Sequence, residues 1–261
     1  MLFKSLRVRA SQGTQYITDL RKAVPNGFRG RPVIAGTPCE EGCTACRDAC
    51  PTGAIQLAPL ALDLGRCVFC SECVEACPAD KIAFTPDPRM GARSKEDLVV
   101  REGAPAPPLL AASAELTRLF GRSLKLRQVS AGGCNGCEME LNAVANVNFD
   151  LQRYGIEWVA SPRHADGLVL TGPLTRTMRD AVRLAWEAMP DPRFVIAVGA
   201  CAISGGLYDG APGVDRGSHP GERPRAFPDF LDEVVPVLFV PGCPPHPLTF
   251  IQAILDLLRI R

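Results

Sequence analysis

The residues of this 261-residue chain whose types and spacing could do chemistry are its twelve cysteines, most of them between Cys39 and Pro78. They read Cys39-x3-Cys43-x2-Cys46-x3-Cys50-Pro51, then Cys67-x2-Cys70-x2-Cys73-x3-Cys77-Pro78. Closely spaced cysteines in a tight loop supply three of the four thiolates that cage a cubic 4Fe–4S cluster, and a fourth arrives from further along the chain. The halves also repeat: Cys43, Cys46, Cys50, Pro51 and Ile55 recur 27 residues on as Cys70, Cys73, Cys77, Pro78 and Ile82. Zinc ribbons use paired C-x2-C hooks and require neither the third cysteine nor the Cys-Pro. Disulfides belong to exported chains, and the segment from Met1 to Arg9 lacks the apolar core of a signal peptide.

The other cysteines are Cys134, Cys137, Cys201 and Cys243, on three loops that each follow a candidate strand. Candidate strands are Leu124–Val129, Glu157–Ala160, Gly167–Thr171, Phe194–Val198 and Val234–Val240; candidate helices are Glu138–Val147, Arg176–Ala188 and Leu248–Arg261. Strands alternating with helices predict βαβ units and an open, doubly wound parallel sheet. Ligands of such sheets bind outside the carboxyl ends of the strands. Four thiolates gathered there would hold one further cluster, with Thr171-Gly172-Pro173 as a wall and Gly132, Gly133, Gly136, Gly199 and Gly242 allowing close backbone approach. Cys201 alone also reads as a small buried hydrophobe, whereas cysteines flanked by Gly and Pro, as in Cys134-Asn135-Gly136-Cys137 and Pro241-Gly242-Cys243-Pro244-Pro245, make poor core residues.

Residues 31–85 resemble a bacterial-type dicluster ferredoxin domain of the α+β class. The resemblance implies one 4Fe–4S cluster on Cys39, Cys43, Cys46 and Cys77, and another on Cys67, Cys70, Cys73 and Cys50. The chain departs from the pattern at Cys39, separated from Cys43 by three residues, Glu40-Glu41-Gly42, where the pattern has two; Gly42 is expected to absorb the extra residue by taking a positive φ. Residues 124–261 carry Cys134-Asn135-Gly136-Cys137-Glu138, Ser161-Pro162-Arg163-His164-Ala165-Asp166, Gly199-Ala200-Cys201 and Pro241-Gly242-Cys243-Pro244-Pro245. These motifs resemble the small subunit of energy-converting, formate hydrogenlyase-like nickel–iron hydrogenases, which is similar in turn to the 20-kDa iron–sulfur subunit of complex I. This implies a flavodoxin-like α/β fold and a proximal 4Fe–4S cluster on Cys134, Cys137, Cys201 and Cys243, three clusters in all. Complex I subunits generally carry adjacent cysteines where this chain has Cys134 and Cys137 two residues apart, which favours the hydrogenase side.

The implied function is electron transfer between two ferredoxin-type clusters and a proximal cluster facing a hydrogenase-type large subunit, within an oxidoreductase complex on the cytoplasmic face of the inner membrane. The implied partners are that large subunit, other subunits of the membrane-bound complex and a soluble electron donor or acceptor. The rivals are a complex I-like module with a nickel-free, quinone-linked partner, and a scaffold with structural metal sites. All twelve cysteines being assigned to clusters, the chain is expected to have no nickel site of its own and no complete active site, with no catalytic residue named.

Composition bounds the rest. A net charge of +1 argues against nucleic acid as a partner, and no apolar run approaches the roughly 20 residues of a transmembrane helix. Four regions are expected: an N-terminal strap at 1–30, docking Leu2, Phe3 and Leu6 on a neighbouring subunit; the ferredoxin domain at 31–85; a proline-rich linker and the helix Leu109–Phe120 within 86–123; and the α/β domain at 124–261. The Gly-, Pro- and Arg-rich stretch 205–230 reads as a long interface loop. His164 and His219 are expected on the surface, and His246 is placed to hydrogen-bond near a cluster. Glu138 and Glu140 are candidates for a proton path, or simply acids favoured at a helix start.

Overall fold

The computed structural model describes residues 2–24, 26–103, 110, 113–214 and 237–260. His219, most of the 205–230 stretch, the prolines at 105, 107 and 108, Leu109 and Arg261 lie outside the described residues, as do positions 234–236 of the last candidate strand.

The C-terminal half is an α/β unit. Its strands are β6 (Leu124–Ser130), β7 (Ile156–Trp158), β8 (Gly167–Thr171), β9 (Phe194–Val198) and β10 (Leu238–Val240), all parallel, in the order β10-β9-β8-β6-β7. Counted within the sheet alone this is the flavodoxin-like order 2-1-3-4-5, whose direction reverses between β6 and β8. Val169, Ile196, Val198, Leu238 and Val240 face a core shared with Leu141 and the buried helix α8 (Pro247–Leu257). Their neighbours Leu168, Leu170, Val195, Ala197 and Phe239 face the opposite core. Burial on both faces explains why these strands read as apolar runs without alternation.

Helices α5 (Gly136–Ala143) and α6 (Arg179–Glu187) are shorter than the hydrophobic pattern suggests, and α4 (Ala114–Phe120) starts where the Ser113 hydroxyl accepts the Leu116 N–H. The Ser113 cap gives one orphan N–H at the start of α4 its partner, whereas α5 and α6 begin after Asn135 and Met178 without a side-chain cap.

The N-terminal half is built as two related loops. Each cysteine loop ends in a one-turn helix, α2 (Ala45–Asp48) or α3 (Glu72–Glu75). Strand β1 (Pro32–Ile34) pairs antiparallel with β4 (Ile82–Phe84), and β2 (Ile55–Gln56) pairs with β3 (Ala61–Asp63). A further strand, β5 (Val99–Arg101), extends the second sheet by pairing Leu62 with Val100.

The reading of 86–108 as a linker is corrected for its described part. Val100 and Leu98 are buried, Met90 and Ala92 enter the apolar cluster beneath the parallel sheet, and Ala92 pairs with Phe239 of β10. That cluster runs unbroken from Ile55, Leu62 and Leu64 to Leu168, Leu170 and Phe239, so the cysteine-rich half covers one face of the sheet. The Ser204 hydroxyl donates to the Gly65 carbonyl at 2.8 Å, and Arg66 pairs with Asp209 at 2.9 Å across the same contact. The prolines did not keep the stretch from packing, or from pairing at Ala92 and along β5.

The N-terminal segment also differs from expectation. Helix α1 (Leu2–Gln12) leaves Phe3 and Leu6 exposed, but the chain after it docks on its own α/β half. Ile17 N–H donates to the Asn148 carbonyl at 2.9 Å, Leu20 is buried, and Arg21 pairs with Asp256.

Candidate iron–sulfur sites

Seven of the eight cysteines of the N-terminal half have sulfur neighbours in one of two groups, and members cross over between the loops. Burial pushes the Cys46 thiol up, and the nearest charges reinforcing this are Cys77 and then Cys39. Burial pushes Cys67 up to about 12, with Cys73, Cys50 and Cys70 as its sulfur neighbours. Cys73, pushed up to about 11 by burial, feels Cys50 and Cys70 next. Cys50 of the first loop therefore sits with the second, and Cys77 of the second with the first. Cys43 is half-buried in the turn where its N–H donates to the Glu40 carbonyl. Gly42 takes φ +73°, the left-handed turn that accommodates the longer Cys39–Cys43 spacing.

The donor set fits a cluster. Cys50, Cys67, Cys70 and Cys73 line one cavity, closed by Ile55, Leu62 and Phe84. Backbone N–H groups point at the sulfurs: Ala54 to Cys50 at 3.2 Å, Phe69 to Cys67 at 3.3 Å and Lys81 to Cys77 at 3.4 Å. Such bonds favour a thiolate and tune a cluster's potential.

The third neighbourhood lies at the carboxyl edge of the parallel sheet. Cys134 and Cys137 follow β6, Cys201 opens α7 (Ala200–Ser204) after β9, and Cys243 follows β10. Burial pushes the Cys137 thiol up, and Glu138, Cys201, Cys243 and Cys134 push it the same way. Cys201 is pushed up to about 11 by burial, then by Cys243 and Cys134. A side chain at Gly199 would put its Cβ 2.6 Å from the Cys137 sulfur, and the φ of +89° there also excludes one. Gly199 thus lets β9 approach the site.

Glu138, beside Cys137, is buried and accepts a 2.6 Å hydrogen bond from the Thr171 hydroxyl. Burial raises its pKa, but the Ser130 and Thr171 hydroxyls outweigh that and hold it below the ordinary glutamate value. Thr171 thus contacts Glu138, the neighbour of Cys137, through its hydroxyl. His246 caps α8, its Nδ1 accepting the Leu248 N–H at 3.1 Å, and its ring packs 5.2 Å from that of Phe28. His164 is exposed. Sequence reasoning passed over Lys81, a buried lysine paired with Glu102 at 2.7 Å. The available signal was the repeat itself, in which Lys81 stands where the first half has Ala54.

A groove joins two of the neighbourhoods. Val68 and Phe69, within the Cys67–Cys70 loop, line it opposite Gly242, Cys243, Pro244, Pro245 and His246.

Comparison with known proteins agrees with this geometry. The family described as NADH ubiquinone oxidoreductase, 20 Kd subunit matches residues 134–257, and a 4Fe-4S binding domain matches residues 60–80. The chain is 38% identical over 142 residues to a probable membrane-bound hydrogenase subunit, mbhJ, of Pyrococcus furiosus, covering 54% of this chain and 77% of that one. The chain belongs to the 20-kDa subunit family of NADH ubiquinone oxidoreductase. Two further relatives are Formate hydrogenlyase subunit 7 of Escherichia coli and NADH-quinone oxidoreductase subunit 6 of Thermus thermophilus. The first is 42% identical over 135 residues, covering 51% of this chain and 48% of its own. The second is 39% identical over 141 residues, covering 53% and 69%. As a member of this family with a fused 4Fe-4S binding domain, the chain is an iron–sulfur electron-transfer subunit of an oxidoreductase complex. Among the described residues no helix is long and apolar enough to cross a membrane.

Proposed function

We propose that the chain is the electron-relay subunit of a membrane-associated hydrogenase-type complex, holding three 4Fe–4S clusters and handing electrons to or from a catalytic large subunit. Cys39, Cys43, Cys46 and Cys77 would hold the first, Cys67, Cys70, Cys73 and Cys50 the second, and Cys134, Cys137, Cys201 and Cys243 the third. When bound, such clusters supply one-electron transfer at potentials set by hydrogen bonds, charge and exposure. The regions are a strap at 1–30, a ferredoxin unit at 31–85, a packed connection and helix at 86–123, and the family domain at 124–261.

The observation that carries this reading is the edge position of the third set. Cys134 is exposed, and Met139, 66% exposed, lies two residues beyond Cys137 on α5. Leu207 and Tyr208, next to the Cys201 turn, add to an apolar rim. A subunit covering that rim would exclude water from the third set and come within electron-transfer reach of it. The second set faces this edge through the Val68–Phe69 loop, while Cys39 of the first set is exposed on its own side to a soluble donor or acceptor. Helix α1, with Phe3 and Leu6 unburied, suits contact with another subunit on the cytoplasmic side of the inner membrane.

The test is turnover of the assembled complex with small redox dyes and with its natural electron partner. Cys134→Ser should abolish turnover with the natural partner. Full turnover in a folded, assembled Cys134→Ser variant would reject the assignment.

A further inference from the structure

The two cysteine loops repeat one another, so a difference between them at equivalent positions stands out against an internal control. Ala54 and Lys81 are such a pair. Each backbone N–H donates to the sulfur of the cysteine four residues earlier, Ala54 to Cys50 at 3.2 Å and Lys81 to Cys77 at 3.4 Å. The first position ends in a methyl group, the second in an ammonium group.

Lys81 is 4% exposed, and its Nζ lies 2.7 Å from Glu102 Oε1. The other group its Nζ hydrogen-bonds is the Cys39 sulfur. A buried lysine without partners would shed its proton. Here the ammonium has a partner, donating to the Glu102 carboxylate across the 2.7 Å ion pair. Glu102 belongs to the partly exposed side of the pair. The pair is therefore a fixed dipole whose positive end lies beside Cys39, while the backbone N–H of the same residue reaches Cys77.

The cations beside the other set are differently placed. Arg29 is exposed and reaches the Cys70 carbonyl at 3.5 Å, where water screens it. Arg66 is spent on Asp209 and the Thr52 carbonyl.

We infer that Lys81, oriented by Glu102, is a positioning residue that selectively raises the reduction potential of the cluster held by Cys39, Cys43, Cys46 and Cys77. One-electron reduction adds one negative charge to that site, and a desolvated cation beside it stabilises the reduced form. The inference rests on the cluster assignment proposed above and adds to it a residue that is not a ligand.

The experiment is an EPR-monitored redox titration of the whole chain, with the signal lost in Cys39→Ser taken as that of the first cluster. In Lys81→Gln the ratio of reduced to oxidised first cluster at fixed ambient potential should fall about tenfold, or about 59 mV for a one-electron couple. The second cluster should stay within a factor of about two of its wild-type ratio, the fraction of a screened, more distant charge. Glu102→Gln should move the first cluster the opposite way, because the ammonium then acts uncompensated. A packing defect has no reason to give opposite signs, and if Lys81→Gln loses the cluster, the Glu102→Gln shift alone decides. An unmoved first cluster, or equal shifts in both, overturns the inference. Absence of any signal sensitive to Cys39→Ser in the wild type overturns the cluster assignment and the inference with it.

Discussion

Ala92 and Phe239 exchange both of their backbone hydrogen bonds, Ala92 N–H to the Phe239 carbonyl at 3.0 Å and Phe239 N–H to the Ala92 carbonyl at 2.8 Å. The segment leaving the ferredoxin unit thereby pairs with the edge strand of the parallel sheet, and the two cysteine-bearing halves are held at a fixed separation. An electron relay needs that constancy more than it needs a hinge.

The neighbour of this pair offers a stability test. A Cβ on Gly91 would lie 2.5 Å from the Ala253 Cβ, and a methyl group on a helix backbone has no rotamer by which to move aside. Gly91→Ala should cost about 1–3 kcal/mol, the usual range for overpacking. Thermal unfolding followed by circular dichroism should show one lowered transition for the whole chain. A transition of the ferredoxin unit alone, with the rest unchanged, would mean that the halves do not share a core.

Thr171 and Glu138 offer a pH test. Removing the hydroxyl in Thr171→Val takes a hydrogen bond from a buried carboxylate, worth about 1.5–3 kcal/mol. Because Glu138 titrates below its ordinary value of 4.5, its charge-dependent stabilisation is fully present above that value. It is lost only as pH falls through the lower folded-state pKa. In the wild type this carboxyl should therefore stay charged from about pH 8 to about pH 5, as followed by its carboxyl chemical shift, and the cost of Thr171→Val is read at about pH 8. A wild-type Glu138 that took up its proton between about pH 7 and about pH 6 would contradict the lowered pKa.

Cys39 tests the altered spacing. If Gly42 turns the chain so that Cys39 completes the first set, Cys39→Ser should lower iron by up to about four atoms per chain and leave the other two clusters spectroscopically intact. Unchanged iron and unchanged spectra would show that the first set is completed otherwise.

Much of this was legible in the sequence, for identifiable reasons. Strands β8 and β9 are buried on both faces, so Gly167–Thr171 and Phe194–Val198 read as apolar runs with the ends the structure gives them. The cysteine loops were legible because cluster chemistry fixes spacing. The fate of residues 86–103 was not: Met90 and Ala92 stand singly among prolines, glycine and charges, Leu98-Val99-Val100 is a run of only three, and partners such as Phe239 are far away in sequence. Residues 17–21 escaped notice for the same reason, since Leu20 is buried by α8 at the other end of the chain. Lys81 was illegible by type, because a lysine is ordinarily a surface residue and only its Glu102 and Cys39 neighbours make it otherwise.

The central claim, that twelve cysteines hold three 4Fe–4S clusters, is tested most directly by iron and acid-labile sulfide analysis of the anaerobically purified chain, combined with alkylation mapping. The account predicts about twelve iron and twelve sulfide per chain, with Cys134, Cys137, Cys201 and Cys243 protected until the iron is removed. Zinc as the main metal, or about eight iron with those four cysteines freely alkylated, would contradict it.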